Sequence, residues 1–192
     1  MIKRLLTLIC FLSITAYGGM IVRGPVARPA GCTTAGFTQG TTANNGSASV
    51  CNNSNKYVGQ QFTADGTYTA CKVDVNLQKV GTPSVNLDVS IYTDNAGVPG
   101  TLIGTASDVI ASSTISTSPT TYTFVNMSAS LTSGTLYWIV LHASAGVDNS
   151  NYIIFVGTGG SSPNTSPYAS INGTSWSTLG SSGDALIFTL YH

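Results

Sequence analysis

Alternation of apolar and polar residues is the clearest pattern in this chain. In residues 68–80, "YTACKVDVNLQKV", Cys71, Val73, Val75 and Leu77 alternate with polar neighbours. A period of two over that length predicts a β-strand with one face on a core and the other in water. The segment 85–93, "VNLDVSIYT", repeats the pattern. Strands with one apolar face are typical of antiparallel sheets.

Shorter apolar segments bounded by turn-forming residues predict further strands. In 131–144, "LTSGTLYWIVLHAS", apolar residues occupy both faces, so we expect a central strand with Trp138 packed inside. No amphipathic helix pattern follows the N-terminal segment. The fold class predicted is therefore all-β, an antiparallel β-sandwich of jelly-roll type spanning residues 56–192. The remaining predicted strands lie within 57–64, 101–112, 121–127, 151–157, 168–176 and 184–192.

The first 55 residues predict a leader and an arm. Lys3 and Arg4 precede a 13-residue apolar run, and small residues follow it, which is typical of a secretory signal peptide over residues 1–18. The run is short for a membrane span of about 20 residues, so membrane contact is expected only if this segment stays uncleaved. Residues 19–55 are rich in Gly, Pro, Ser, Thr and Asn, which predicts a flexible arm with a short strand near Cys51.

Charge excludes one class of partner. Charged residues make up 7% of the chain, and all seven acidic residues are Asp. From residue 19 onward five basic residues face seven Asp, a formal charge of −2. Nucleic-acid binding needs a basic surface, so nucleic acid is not an expected partner.

Three cysteines remain after the signal segment, and export favours one disulfide. Cys32 and Cys51 lie in loop-like sequence, so we predict a Cys32–Cys51 bond, with Cys51–Cys71 as the alternative. Cys71 falls on the predicted apolar side of its strand, where a free thiol would be buried.

The segment 91–104, "IYTDNAGVPGTLIG", has two interpretations. Asp94, Asn95 and Asp108 offer oxygen ligands for calcium, but only Asp94 is a carboxylate within the loop and the EF-hand spacing is absent. Asp or Asn at a turn start, Gly97 for positive φ and Pro99 at the exit favour a plain turn. No cofactor is expected, and Asp94 is a weak calcium candidate.

Catalytic patterns are absent from the sequence. His142 and His192 are the only histidines, no GxSxG is present, and the Asp residues fall at turns or on polar strand faces. We therefore expect no enzyme activity and assign no catalytic residue. Carbohydrate binding suits the composition better, because aromatic rings in Asn/Ser/Thr-rich loops contact sugar rings and hydroxyls. Tyr152, Tyr168 and Trp176 are the candidate ligand-binding residues.

Several spaced blocks resemble the choice-of-anchor R type domain, a secreted or surface β-sandwich module of bacteria and phage-related proteins. The likeness covers residues 56–192. It implies the sandwich fold and an extracellular setting, and it implies no activity. The matching features are Gln61-Phe62, Gly81, Ile91-Tyr92-Thr93-Asp94 with Pro99-Gly100, Tyr137-Trp138-Ile139-Val140, and Gly183-Asp184.

These observations predict a non-catalytic, secreted or cell-surface module for adhesion or recognition, with an extracellular glycan or a surface protein as partner. The alternative is a structural subunit of a surface layer, fibre or virion. Such a subunit assembles through protein–protein contacts, as a homo-oligomer whose N-terminal arm docks on a neighbour.

Overall fold

A computed structural model describes residues 31–40, 48–144, 146–157, 167–179 and 185–192, with backbone only for 48–50. Across these ranges the chain forms thirteen β-strands and a short 3₁₀ helix, Ser112–Thr114, with no α-helix. The strands are β1 (Ala35–Gln39), β2 (Ala48–Cys51), β3 (Tyr57–Thr63), β4 (Tyr68–Val80), β5 (Asn86–Asn95), β6 (Val98–Thr105), β7 (Ile110–Ala111), β8 (Thr120–Leu131), β9 (Leu136–Ala143), β10 (Tyr152–Val156), β11 (Tyr168–Ser170), β12 (Ser177–Thr178) and β13 (Phe188–Tyr191).

The strands form two antiparallel sheets. Sheet A has the order β1-β13-β4-β10-β2, and β8 pairs with the other edge of β4. Sheet B has the order β12-β11-β3-β9-β5-β6, and β7 pairs with one end of β5. The sheets do not close into a barrel, so the predicted all-β antiparallel sandwich is confirmed.

The core lies between the sheets and follows the predicted alternation. Val73, Val75 and Leu77 of β4 are fully buried there, as are Leu87, Val89 and Ile91 of β5. β9 is a central strand between β3 and β5, as predicted, and its Ile139 and Leu141 complete the core. The opposite faces of β3, β5 and β9 point away from this core, which is what makes them available for a site.

An irregularity in the pairing of β4 with β8 corrects the prediction for Cys71. The pairing of β4 with β8 shifts register between Ala70 and Lys72, so that Ala70 and Val73 are both fully buried and Cys71 turns out of the core. Between the pairs formed by Ala70 and Lys72, β8 has two more residues than β4, and this irregularity accompanies a reversal of the side-chain alternation in β4. Cys71 then meets Cys32, and these two form the disulfide, with Cα atoms 5.9 Å apart.

The predicted Cys32–Cys51 bond and its alternative, Cys51–Cys71, are therefore both wrong. Cys51 is a free thiol, fully buried, and belongs to the hydrophobic core at the end of β2. Burial, with a smaller contribution from the Asp88 carboxylate, raises the pKa of Cys51 to about 12. The thiol behaves as a small apolar side chain in this position.

The flexible arm predicted for residues 19–55 is corrected for the parts that the structure describes. β1 pairs with β13 and β2 pairs with β10, so both strands belong to sheet A. Phe37 of β1 packs against Phe62 and Phe188, with ring centroids 5.0 and 5.5 Å away. The short strand predicted near Cys51 is β2, whereas turn-forming composition concealed β1, whose stability comes from pairing with a distant strand.

The predicted signal peptide, residues 1–18, lies outside the described residues. Within the described ranges, no helix has the length and apolar character needed to cross a membrane.

Candidate functional site

The outer face of sheet B carries most of the aromatic residues outside the core. Cross-strand pairing aligns Tyr57, His142 and Asp88 in one row, and Gln61, Trp138 and Tyr92 in another. The two residues that each strand contributes lie four positions apart, and side chains an even number of positions apart share a face. We call this surface the sheet B face; it also includes Tyr168, Trp176 and Asp94.

Ring contacts hold this surface together. Tyr57 stacks on His142, with centroids 4.2 Å apart and 15° between the planes. Trp176 meets Tyr57 edge-on at 6.3 Å, and Tyr168 meets Trp138 edge-on at 5.2 Å. Trp138 is fully buried beneath these neighbours, as the sequence predicted, whereas Tyr57, Tyr168 and Trp176 are half-buried. Rings that are partly exposed and firmly packed offer contact area to a ligand, and they lose little side-chain conformational entropy when the ligand binds.

Asp94 anchors one end of the sheet B face. Its Oδ1 accepts hydrogen bonds from Gln61 Nε2 at 2.7 Å and from Trp138 Nε1 at 2.8 Å. Its Oδ2 accepts the backbone N–H of Gly97 at 3.2 Å. The carboxylate thus satisfies the indole N–H of a fully buried tryptophan, which would otherwise be costly to bury.

The loop after Asp94 is a two-residue hairpin turn. Asn95 pairs with Val98, and the central residues Ala96 and Gly97 have φ of 53° and 87°. Positive φ at both central positions defines a type I′ turn, whose twist matches a β-hairpin. Asp108 lies elsewhere and accepts the backbone N–H of Val125 at 2.7 Å. No group of three or more metal-ligating His, Cys or Asp side chains is found in the described part of the chain.

A second loop, residues 171–175, crosses the sheet B face. Asn172 Oδ1 accepts the backbone N–H groups of Thr174 and Ser175, both at 3.0 Å, which holds the loop in a tight turn. Gly173 has φ of 74°, and a Cβ there would lie 3.1 Å from the Tyr57 ring. The glycine therefore allows the loop backbone to lie directly against that ring.

An open groove of about 610 Å³ separates this loop from the β5–β6 hairpin. We call it the hairpin groove. Its lining is rich in hydroxyl, amide and carboxylate groups, and its Gly173 lies against the Tyr57 ring. The lining residues are Thr93, Asp94, Asn95, Pro99, Gly100, Thr101, Gly173 and Thr174.

Two ionisable groups of the sheet B face, His142 and Asp88, are paired with each other. His142 Nδ1 lies 2.8 Å from Asp88 Oδ2. Burial, together with Tyr57 and Asp88 nearby, raises the pKa of Tyr92. Ser90, also on this face, has its Oγ 2.8 Å from Thr105 Oγ1. The serine hydroxyl is thus engaged with a threonine, and this arrangement provides orientation and polarity rather than an activated nucleophile.

The three predicted ligand-binding residues do not lie on one sheet. Tyr168 and Trp176 lie on the sheet B face, whereas Tyr152 pairs with Val80 in sheet A. Asp184, noted for the resemblance, lies outside the described residues.

Sequence reasoning missed Tyr57, Tyr92 and His142 as members of the same surface. The alternation of apolar and polar residues did indicate a shared face, because each of these three residues lies on the strand face opposite to the predicted core positions. The alternation does not give the order of the strands in the sheet, and it is this order that brings β3, β9 and β5 side by side.

No family model, curated protein or solved structure matches this chain. The resemblance to the choice-of-anchor R type domain therefore stays a prediction. The fold and the geometry of the sheet B face carry the functional argument.

Proposed function

We propose that this protein is a non-catalytic, secreted or cell-surface β-sandwich module for adhesion or recognition, and that it binds an extracellular glycan at the hairpin groove. The observation that carries the proposal is the position of this groove beside half-buried aromatic rings. Sugar rings place their C–H faces on aromatic planes, and their hydroxyls exchange hydrogen bonds with amide, hydroxyl and carboxylate groups.

The lining of the groove is polar, and aromatic rings lie beside it, since Gly173 borders the Tyr57 ring. Asn95 and Thr101 contribute polar atoms on the hairpin side, and Thr174 contributes its hydroxyl on the loop side. Trp176 lies close behind the loop, and its Nε1 is buried with no hydrogen-bond partner. An indole N–H in that state is a donor available to a ligand hydroxyl after a small movement of the loop.

Extracellular location is part of the same proposal. It is supported by the Cys32–Cys71 disulfide, since disulfides persist in oxidising compartments, and by the signal-like sequence of residues 1–18.

A glycan array probed with the full chain tests the proposal. We expect binding that the Trp176→Ala variant weakens by at least about tenfold, as for an aromatic anchor. Thr174→Tyr, which fills the groove from an exposed loop position, should weaken it similarly. Tyr152→Ala is the matched control, because it removes an aromatic ring from the other sheet, and it should leave binding unchanged. Binding that survives both sheet B variants, or no binding to any glycan, contradicts the proposal.

The second candidate is a structural subunit that assembles through protein contacts. It is favoured by Leu102 and Leu136, which are 50% and 38% exposed. Cross-strand pairing places Leu102 beside Tyr92 and Leu136 two residues from Trp138, both on the sheet B face. A defined oligomer in solution that Leu102→Ser dissociates, combined with no glycan binding, would favour this candidate over the first.

A further inference from the structure

A second pocket lies on the outer face of sheet A, the sheet opposite to the proposed glycan groove. It has a volume of about 300 Å³ and is formed where β1, β4, β8 and β13 run side by side. We call it the sheet A pocket. The polar side chains that line it are Thr38, Asp74, Asn76, Thr121, Thr189 and Tyr191.

Asp74 is the charged group of this pocket. Its Oδ1 accepts a hydrogen bond from Thr123 Oγ1 at 2.6 Å, and its Oδ2 accepts one from the Tyr191 hydroxyl at 2.9 Å. Lys72, two residues away, places its Nζ 3.7 Å from the centre of the Tyr191 ring. Among the described residues, no lysine or arginine forms a salt bridge with Asp74. The carboxylate is thus fixed in direction, and the nearby Lys72 ammonium contacts the Tyr191 ring instead of forming a salt bridge with Asp74.

Asn76 adds an acceptor that has no donor. Its Oδ1 is buried and makes no hydrogen bond. Buried polar atoms are nearly always paired, so an unpaired one in a residue that lines a pocket indicates a missing partner, which this oxygen reaches after a small rotation of the Asn76 side chain. Asn76 lies two residues from Asp74 on β4, and its side chain therefore shares the same face of the sheet.

A carboxylate and an unpaired amide oxygen in one pocket together favour a ligand that carries several N–H donors and a positive charge. A primary ammonium has three donors and forms charge-assisted hydrogen bonds with such acceptors. Threonine hydroxyls surround them and can exchange hydrogen bonds with ring hydroxyls. The volume is at the lower end for ligand pockets and suits one pyranose ring.

We propose that the sheet A pocket binds the ammonium-bearing ring of an amino sugar, with Asp74 and Asn76 accepting from the ammonium group. This site is independent of the hairpin groove, because the two lie on opposite sheets.

Two-dimensional ¹H–¹⁵N spectra of the full chain, titrated with glucosamine, provide the test. We expect saturable shifts at the backbone amides of Asp74 and Asn76 and at the Asn76 side-chain amide. Glucose lacks the ammonium and N-acetylglucosamine has it acylated, so both should bind at least tenfold more weakly.

Variants locate the ligand. Asp74→Asn keeps the side-chain shape and should weaken glucosamine binding at least tenfold. Thr121→Lys puts an ammonium into the pocket from an exposed position and should abolish binding. If Asp74→Asn has a lowered melting temperature, its loss of binding does not by itself locate the ligand, and Thr121→Lys provides the test instead. Asp65→Asn, an exposed carboxylate elsewhere, is the matched control and should bind as the parent does.

Three results would overturn the proposal. One is glucose binding as tightly as glucosamine, which would remove the role of the ammonium. Another is binding that persists in Thr121→Lys or is lost in Trp176→Ala, which would move the sugar to the sheet B face. The third is Nα-acetyl-lysine amide binding as tightly as glucosamine, which would show that the sugar ring contributes nothing.

Discussion

A single carboxylate, Asp94 of β5, binds side chains of β3 and β9 on the sheet B face. It accepts hydrogen bonds from Gln61 and Trp138, which are 5% and 0% exposed, and it also holds the hairpin turn through Gly97. The same side chain was the calcium candidate in the sequence. Its geometry now assigns it a structural role that explains why an acidic residue occupies this position.

Replacing Asp94 should therefore destabilise the fold. Asp94→Ala removes the acceptor of the Gln61 Nε2 and Trp138 Nε1 hydrogen bonds, and we expect a loss of roughly 2–4 kcal/mol in the free energy of unfolding. Asp94→Asn keeps one acceptor oxygen and should cost roughly half as much. Urea unfolding followed by tryptophan fluorescence measures both. Equal stability of all three proteins would contradict the role given to this side chain.

Calcium provides the complementary measurement. Because both Asp94 oxygens already accept hydrogen bonds, added calcium should leave the melting temperature of the parent protein unchanged. A calcium-dependent rise that Asp94→Ala removes would instead support the metal hypothesis.

The buried thiol of Cys51 predicts a dependence of stability on pH. Its pKa is raised from 9.0 to about 12 in the folded chain, mainly by burial. The unfolded thiol ionises above about pH 9, whereas the folded one stays neutral until about pH 12. The contribution of Cys51 to stability is therefore complete below pH 9 and is lost as the pH rises from about 9 to about 12.

Comparison with Cys51→Ala isolates this effect, because all other titrating groups are common to both proteins. The difference in unfolding free energy between parent and variant should be constant up to pH 9 and then shrink. A constant difference up to pH 11 would be inconsistent with a neutral, buried thiol. The folded parent should also leave thiol reagents unreacted at pH 8.

At the scale of elements, local irregularities decide where side chains point. The alternation in β4 was correctly interpreted from Val73 onward, but it is reversed for Cys71 at the irregular pairing of residues 70–72. Such an irregularity depends on how the partner strand is paired, so a single strand's sequence does not reveal it. The disulfide prediction failed for the same reason.

The β5–β6 hairpin offers an element-scale prediction. Ala96 has φ of 53°, which lies in a backbone region that residues other than Gly, Asn and Asp rarely adopt. Ala96→Asn gives the Asn-Gly pair that type I′ turns prefer, and should raise the free energy of unfolding by roughly 0.5–1 kcal/mol. Ala96→Val should lower it, because a β-branched residue is strained there. Thermal and urea unfolding measure both, and an unchanged or lowered stability of the asparagine variant would refute the turn assignment.

For the whole molecule, the two N-terminal strands matter most. Phe37 of β1 packs on Phe62 and Phe188, and the Cys32–Cys71 bond closes a sequence separation of 39 residues. Such a bond contributes roughly 4 kcal/mol in the loop-entropy account. These residues were predicted to be an arm separate from the sandwich, yet they form two strands of sheet A.

Truncation tests this role. Deletion of residues 1–55 removes β1, β2 and Cys32, so we expect a chain that fails to give a cooperative unfolding transition. Deletion of residues 1–30 keeps all three and should retain the strand-rich circular dichroism spectrum and cooperative melting. If the shorter chain, residues 56–192, melts cooperatively at the melting temperature of the parent, β1 and β2 are not needed for the stability of the sandwich.

The residues that sequence reasoning placed correctly are those whose environment depends on local periodicity. Trp138 was predicted to be packed because large apolar residues flank it on one strand, and it is fully buried. Tyr168 and Trp176 were grouped with Tyr152 because all three adjoin polar loops. Only strand order shows that Tyr152 belongs to the other sheet.

By itself, the sequence determined that the chain is all-β, that its strands have one apolar face, and that the 91–104 loop has turn chemistry. These properties follow from side-chain period and backbone preference, which act over a few residues. Tertiary structure alone decided which cysteines bond, which strands join β1 and β2, and which aromatic and polar side chains share a surface. Those outcomes depend on pairing between segments far apart in the chain, and no local pattern encodes the choice of partner.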